Sequence, residues 1–321
     1  MRNPHFDHGR VVWSDAYSGQ YEQPTTGYSE QFDLQWKIAL RGNPEYSDVP
    51  GAAIDDAHIE DRVYEWTRVH PRGTGFSDAS SGIRALDHPI DPGLIKGRKC
   101  VDIGCGMGRW TRTLQVIGAA EVLSIDISNS ALESVKRFNQ NTLRADITRL
   151  PEDHPELVEQ FDFAVFWGVA MCTHDPCKAL ASAASLVRPG GYIYLMVYAP
   201  EGMHNTAIVN IQRRIFSRLK TVEERLAFVE QVYDRAWNWS YPPLENLKNL
   251  LRNLLALPRG SQLGVLDMLE PFYNWVIPMD VIEGWMSRAG FADLLLLNEL
   301  EPEKCAYHVL ARKTADTASG R

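Results

Sequence analysis

Val101-Asp102-Ile103-Gly104-Cys105-Gly106-Met107-Gly108-Arg109 joins a short apolar run to three closely spaced glycines and then to a helical pattern. The order strand, glycine turn, helix brings bare backbone close to a ligand, because glycine has no Cβ to hold it away. The helix that follows offers unbonded N–H groups at its start. A dinucleotide fingerprint needs G-x-G-x-x-G. Here the glycines fall at 104, 106 and 108, and Arg109 stands where the third dinucleotide glycine belongs, which argues against NAD.

Outward from this turn, strands and helices alternate. Val122 to Ile125 reads as a second strand and Ser130 to Phe138 as a helix. Phe161 to Phe166 reads as a strand, Lys178 to Val187 as an alanine-rich helix stopped by Pro189-Gly190-Gly191, and Tyr192 to Tyr198 as the next strand. Such alternation predicts a parallel sheet with helices on both faces. Met279 to Ala289 reads as a helix with Gly290 as its stop, and Asp293 to Leu297 and Tyr307 to Ala311 as two closing strands.

Two further acids support a nucleoside ligand. Asp126 ends the second strand about 20 residues after the glycine turn, where a carboxylate can accept both ribose hydroxyls. Asp146, in Ala145-Asp146-Ile147, could accept from an adenine amino group. Each alone reads as a surface residue or helix cap; all three acids in order on one strand–helix framework point to a cofactor.

Lys99 to Ala199 resembles the core of the class I S-adenosylmethionine (SAM)-dependent methyltransferases of the small-molecule type. The resemblance rests on Val101 to Gly108, Asp126, Ala145-Asp146-Ile147, Phe161 to Val169, Leu186-Val187-Arg188-Pro189-Gly190-Gly191 and Ala289-Gly290-Phe291. It implies an α/β fold: a Rossmann-like, doubly wound, mostly parallel seven-stranded sheet with a helical N-terminal extension and a helical cap insertion. It also implies SAM as cofactor. Gly104, Gly106 and Gly108 would pass the methionine and ribose parts of SAM, and Asp102 would lie near its amino-acid end. Asp126 would hold the ribose with Ile127 on the adenine, Asp146 and Ile147 would flank the adenine edge, and Gly168 and Val169 would form the wall near the sulfonium.

After Val169 the pattern departs. Many small-molecule members resemble Gly-Val-Leu-His-His at this point, whereas this chain has Ala170-Met171-Cys172-Thr173-His174-Asp175. His174 is the candidate general base, because an imidazole can take a proton near neutral pH; the alternative is a loop histidine beside a helix cap. Gln31 to Trp36 resembles an N-terminal element that lies over the SAM site as a lid. Tyr21, Trp36, Tyr198 and Trp239 are the candidate substrate-pocket aromatics, against the alternative of ordinary packing. Arg213, Arg214, Arg218 and Lys220 form a basic cluster, read as a solvated helix face or as a seat for a substrate anion. No metal site is expected; Cys172 and Cys177 lack zinc-like spacing.

The 321 residues carry a net charge of −8 and are 45% hydrophobic. That balance allows a large core and lowers the weight of nucleic acid as a partner. With mean hydropathy −0.27 and no apolar run of about 18 residues, no membrane span is expected. The start, Met1-Arg2-Asn3-Pro4-His5, has no apolar signal core, and five cysteines make no disulfide framework, so a cytoplasmic protein is expected. The chain divides into 1–97 as an N-terminal extension, 98–200 as the SAM core, 201–275 as a cap insertion, 276–313 as the last core helix and strands, and 314–321 as a disordered tail. A helix over Asp55 to Val69 and a leucine stripe from Leu244 to Leu254, core or dimer contact, fall within the two extra segments.

The expected partner is a small-molecule acceptor, of a specialised metabolite type, with no nucleic acid and with a homodimer possible. Four alternatives stay open: a non-methyl reaction of SAM that releases methylthioadenosine, a SAM-binding protein without catalysis, methylation of RNA or protein, and an NAD-dependent enzyme.

Overall fold

The computed structural model describes residues 28–40, 88, 90–200, 207–221, 223–225, 227–229, 269–301, 304 and 306–314. Tyr21, Trp239, the expected helix at Asp55 to Val69, the leucine stripe and residues 315–321 lie outside the described residues.

The elements run in chain order as helix α1 (Tyr28–Leu40), β1 (Lys99–Ile103), α2 (Arg109–Ile117), β2 (Glu121–Asp126), α3 (Asn129–Val135), β3 (Thr142–Arg144) and a short α4 (Leu150–Asp153). Next come β4 (Phe161–Trp167), α5 (Pro176–Leu186), β5 (Val187–Tyr198), α6 (Ala207–Phe216), α7 (Met279–Arg288), β6 (Phe291–Leu296) and β7 (Ala306–Lys313). The seven strands form one sheet in the order β3-β2-β1-β4-β5-β7-β6. The first five are parallel, and β7 enters antiparallel between β5 and β6. The chain therefore reverses direction across β1, with β2 on one side and β4 on the other, the place where open α/β sheets bind ligands.

Strand β4 shows why the central strands read as continuous apolar runs: it is covered on both faces. Phe163 and Val165 pack with Trp110 and Leu114 of α2. Ala164 and Phe166 pack on the opposite face with Leu180 and Ala183 of α5. Helix α5 starts sharply because Asp175 accepts from the N–H of Lys178 and Pro176 fills the first turn.

Two strand boundaries differ from the sequence expectation. β5 begins at Val187, five residues before Tyr192, because Val187 pairs with Phe161 across a bulge and Gly190 turns at φ 79°. β6 begins at Phe291 rather than Asp293. Asp293 sits at φ 53° inside a register shift between Ala292 and Leu295, so the strand continues around it. Pro92–Leu94 forms a short 3-10 turn capped by Asp91, and Ile90 beside it is buried, which docks this connection onto the core.

A buried polar network lies under the glycine turn. The Thr111 hydroxyl donates to Asp102 Oδ2 at 2.7 Å and lies 2.8 Å from Ser124 Oγ, to which Asn139 Nδ2 donates at 2.9 Å. It ties α2 to β1 and β2, so the turn between them is held from below.

Candidate active site

The glycine turn is shaped by contacts that leave no room for a side chain. Gly104 has φ 71°, and a Cβ there would collide with the methyl groups of Val169. Gly106 has φ 52°, and a Cβ there would stand 2.7 Å from the Trp36 ring. Both positions require the left-handed region that L side chains avoid.

Asp126 joins this turn to the next one. Its Oδ2 accepts from Gly106 N–H and its Oδ1 from Ser128 N–H, each at 2.8 Å. Burial raises its pKa to about 6, against the lowering effect of those backbone N–H groups. Burial likewise raises Asp102 to about 7, while its hydrogen bond from Thr111 works in the opposite direction. The side chain of Asp102 is thus tied into the network beneath the turn. Asp146 accepts from Thr148 N–H at 2.9 Å and from its hydroxyl at 2.8 Å, capping the turn that follows β3. Ile147 is buried in the main core, and Ile127 packs against it.

Gly168 and Val169 follow β4 directly. The N–H of Gly168 donates to Met196 O at 3.1 Å, which holds the loop beside β5. His174 lies at the end of this loop. Desolvation lowers its pKa, opposed by the charges of Asp146 and Asp175, which favours the neutral imidazole. Its ring stands 6.5 Å from that of Tyr273. Its Nδ1 is buried and without a hydrogen-bond partner.

Helix α1 spans the site from above. Trp36 covers Gly106. Asp33 accepts from the Ser128 hydroxyl at 2.6 Å and from Ser130 N–H at 3.1 Å. Gln31 Oε1 accepts from Phe272 N–H at 2.6 Å. The helix therefore touches the glycine turn and the loop after β2 and, at its other end, a strap formed by residues 270–277.

Sequence reasoning did not single out this strap. Trp275 N–H donates to Met171 O at 3.0 Å, its indole Nε1 donates to Thr173 O at 2.9 Å, and Ile277 N–H donates to Tyr198 O at 3.0 Å. The strap thus crosses the carboxyl ends of β4 and β5. Its signal in the sequence was the aromatic cluster Phe272-Tyr273-Asn274-Trp275. Tyr198 is buried at the end of β5 and meets the strap through its carbonyl. Arg213 is fully buried, donates to Pro271 O and faces Glu270, which Arg225 holds at 2.8 Å. Arg213 is therefore part of the strap's anchorage rather than of a solvated face; Arg214 and Arg218 remain exposed.

Gly104, Gly106, Asp126 and Val169 meet at one edge, with Asp146 and His174 beside them. They stand where the strand order turns back at β1, the place where open α/β sheets bind ligands. Residues 80–256, more than half of the chain, match the family model described as a methyltransferase domain. The chain belongs to that family, the class I SAM-dependent methyltransferases, and its cofactor is SAM. The Asp126 carboxyl, held beside the glycine turn by Gly106 and Ser128 N–H, fits the ribose hydroxyls of such a cofactor.

Among curated proteins, the tRNA U34 carboxymethyltransferase of Pseudoalteromonas translucida is 34% identical over 59% of this chain and 65% of its own length. The ubiquinone biosynthesis O-methyltransferase of Bordetella bronchiseptica is 24% identical over 46% of this chain and 63% of its own. The ribosomal protein L11 methyltransferase of Burkholderia thailandensis is 36% identical over 34% of each. The chain thus spans less than two-thirds of the length of these relatives.

These names correct one expectation. Nucleic acid was set aside as a partner on the net charge of −8, yet a relative at 34% identity is named for tRNA. Net charge is a sum over the whole surface, whereas binding a polyanion depends on local charge, so the sum does not exclude that partner. Among the described residues, no helix is long and apolar enough to cross a membrane.

Proposed function

We propose that this chain transfers the methyl group of SAM to a small-molecule acceptor seated beside the loop after β4 and the 270–277 strap. The meeting of Gly104, Gly106, Asp126 and Val169 at one edge, roofed by α1, carries this reading. When bound, SAM supplies an electrophilic methyl carbon on a sulfonium, open to in-line displacement with S-adenosylhomocysteine as the other product.

The chain's residues do the rest. Asp126 takes the ribose hydroxyls on its remaining lone pairs, and its bonds to Gly106 and Ser128 fix it for that task. Asp146 and Ile147 flank the adenine with Ile127, and Gly168 and Val169 close the wall toward the acceptor. Asp102 and Gly108 support the amino-acid end. Trp36 excludes water above the glycine turn. Orientation and water exclusion can supply about 7–11 kcal/mol of a transfer barrier. The neutral His174 takes the acceptor's proton where the nucleophile is a hydroxyl or amine. Tyr198 sits on the acceptor side, at the end of β5.

A second reading is favoured by the Pseudoalteromonas relative: the acceptor is a tRNA nucleotide presented to the same edge. The test is incubation with methyl-labelled SAM and either the small-metabolite or the tRNA fraction of a cell extract, with mass spectrometry of both. Label in a small metabolite is expected. Label in tRNA establishes the second reading, and label in neither overturns both.

A further inference from the structure

The strap gathers polar groups that the fold leaves without partners. Asn274 is 2% exposed, and neither its Nδ2 nor its Oδ1 has a hydrogen-bond partner. Gln31 is 8% exposed; its Oε1 holds Phe272 N–H while its Nε2 has none. His174, against Tyr273, has an unpartnered Nδ1. One of these residues is in the strap, one is bonded to it, and one packs on its ring. Buried polar groups are nearly always paired, because an orphan costs about 1–3 kcal/mol. Three around one strap of eight residues point to a ligand-binding role.

Their place says which reactant. The strap is pinned to Met171, Thr173 and Tyr198 carbonyls, at the ends of β4 and β5. Asp126, at the end of β2, lies on the other side of β1 in the strand order. The orphaned groups are therefore on the half of the edge that the nucleoside does not use. Their chemistry says what kind. A carboxamide presents one acceptor and one donor side by side, in a plane. The group that satisfies both at once has the same pair reversed: a lactam, imide or carboxamide edge. Gln31 adds a donor for a second carbonyl, and His174 takes either role by its tautomer.

We infer that Asn274, with Gln31 and His174, forms the acceptor-recognition set of this enzyme, and that the acceptor carries a planar lactam, imide or carboxamide edge. The inference rests on the methyl-transfer reading above. It names the chemistry that a small-molecule acceptor would show to the strap, and it makes Asn274 a specificity residue.

The test uses the full chain saturated with S-adenosylhomocysteine. Binding of uracil and 2-pyridone is compared by calorimetry with binding of phenol and anisole, which are close to them in size but lack the adjacent N–H and C=O. The heterocycles are expected to bind at least tenfold more tightly. Asn274→Leu is expected to remove that preference without changing affinity for S-adenosylhomocysteine, and Asn274→Asp, which lacks the donor, is expected to reduce it. Asn274→Leu should also raise the melting temperature of the free protein, since it removes an unpaired buried amide; an amide with a purely structural role would show a fall. Equal binding of phenol and anisole, no binding of either heterocycle, or an unchanged preference in Asn274→Leu overturns the inference. Failure of S-adenosylhomocysteine itself to bind overturns the methyl-transfer reading beneath it and the inference with it, so the two failures are distinct.

Discussion

Asp126 and Gly106 are joined by a 2.8 Å hydrogen bond from the Gly106 N–H to the Asp126 carboxylate. The acid at the end of β2 thereby sets the path of the glycine turn after β1. Its second oxygen accepts from Ser128, so one side chain fixes two loops of the cofactor edge. Hydrogen bonds to a charged group contribute about 1.5–3 kcal/mol each, roughly 10- to 100-fold in affinity. Asp126→Ala should weaken SAM and S-adenosylhomocysteine binding by at least that factor in calorimetry while circular dichroism shows the fold retained. An unchanged affinity would remove Asp126 from the site.

The raised carboxyls make cofactor binding depend on pH. Asp102 titrates at about 7 and Asp126 at about 6, both held up by burial. The sulfonium of SAM favours their ionised forms, whereas S-adenosylhomocysteine carries no such charge. SAM affinity should therefore rise between pH 5.5 and 8, and more steeply than that of S-adenosylhomocysteine. Parallel profiles for the two ligands would contradict this.

The same shift has the opposite sign for the stability of the free protein. Asp102 has a folded pKa above its ordinary value of 3.8, so its stabilising contribution is complete below about 4 and is lost as pH rises through about 7. Asp102→Asn keeps an acceptor for the Thr111 hydroxyl and cannot ionise. Its melting temperature should exceed that of the native chain at pH 8 and approach it at pH 5, as read by thermal unfolding.

His308 works in the other direction. It lies buried between β5 and β6, with its Nδ1 2.8 Å from the Tyr194 hydroxyl, and burial lowers its pKa to about 4. A depressed folded pKa gives stability that is complete above the ordinary value of 6.5 and is lost as pH falls toward and through about 4. Thermal unfolding should show a decline below pH 6.5 that His308→Gln, which can still bond Tyr194, flattens.

Helix α1 is tied down by Asp33 at Ser128 and Ser130. Asp33→Ala should release it from the cofactor half and speed S-adenosylhomocysteine dissociation several-fold in stopped-flow measurements. An unchanged rate would mean that α1 does not limit exit.

The geometry of the glycine turn was legible because local rules decide it. The glycines at 104 and 106 are needed for positive φ and close approach, and Asp126 follows a strand whose end is plain in the apolar pattern. The strand starts at Val187 and Phe291 were missed because bulges pair residues that the alternation rule leaves out. Arg213 read as a surface cation because helix periodicity does not reveal a distant Glu270 or the Pro271 carbonyl. The acceptor half was the least legible. Asn274 and Gln31 lie more than two hundred residues apart in sequence, and Gln31 reaches the strap through the Phe272 N–H. The exclusion of nucleic acid failed for a related reason, since a chain-wide charge carries no information about one edge.

The most direct test of methyl transfer at this edge is mass spectrometry of the nucleoside products after incubation with SAM and acceptor fractions, for the native chain and for Asp126→Ala. The account expects S-adenosylhomocysteine from the native chain and its loss in the variant. Methylthioadenosine as the product, or S-adenosylhomocysteine undiminished in Asp126→Ala, would contradict it.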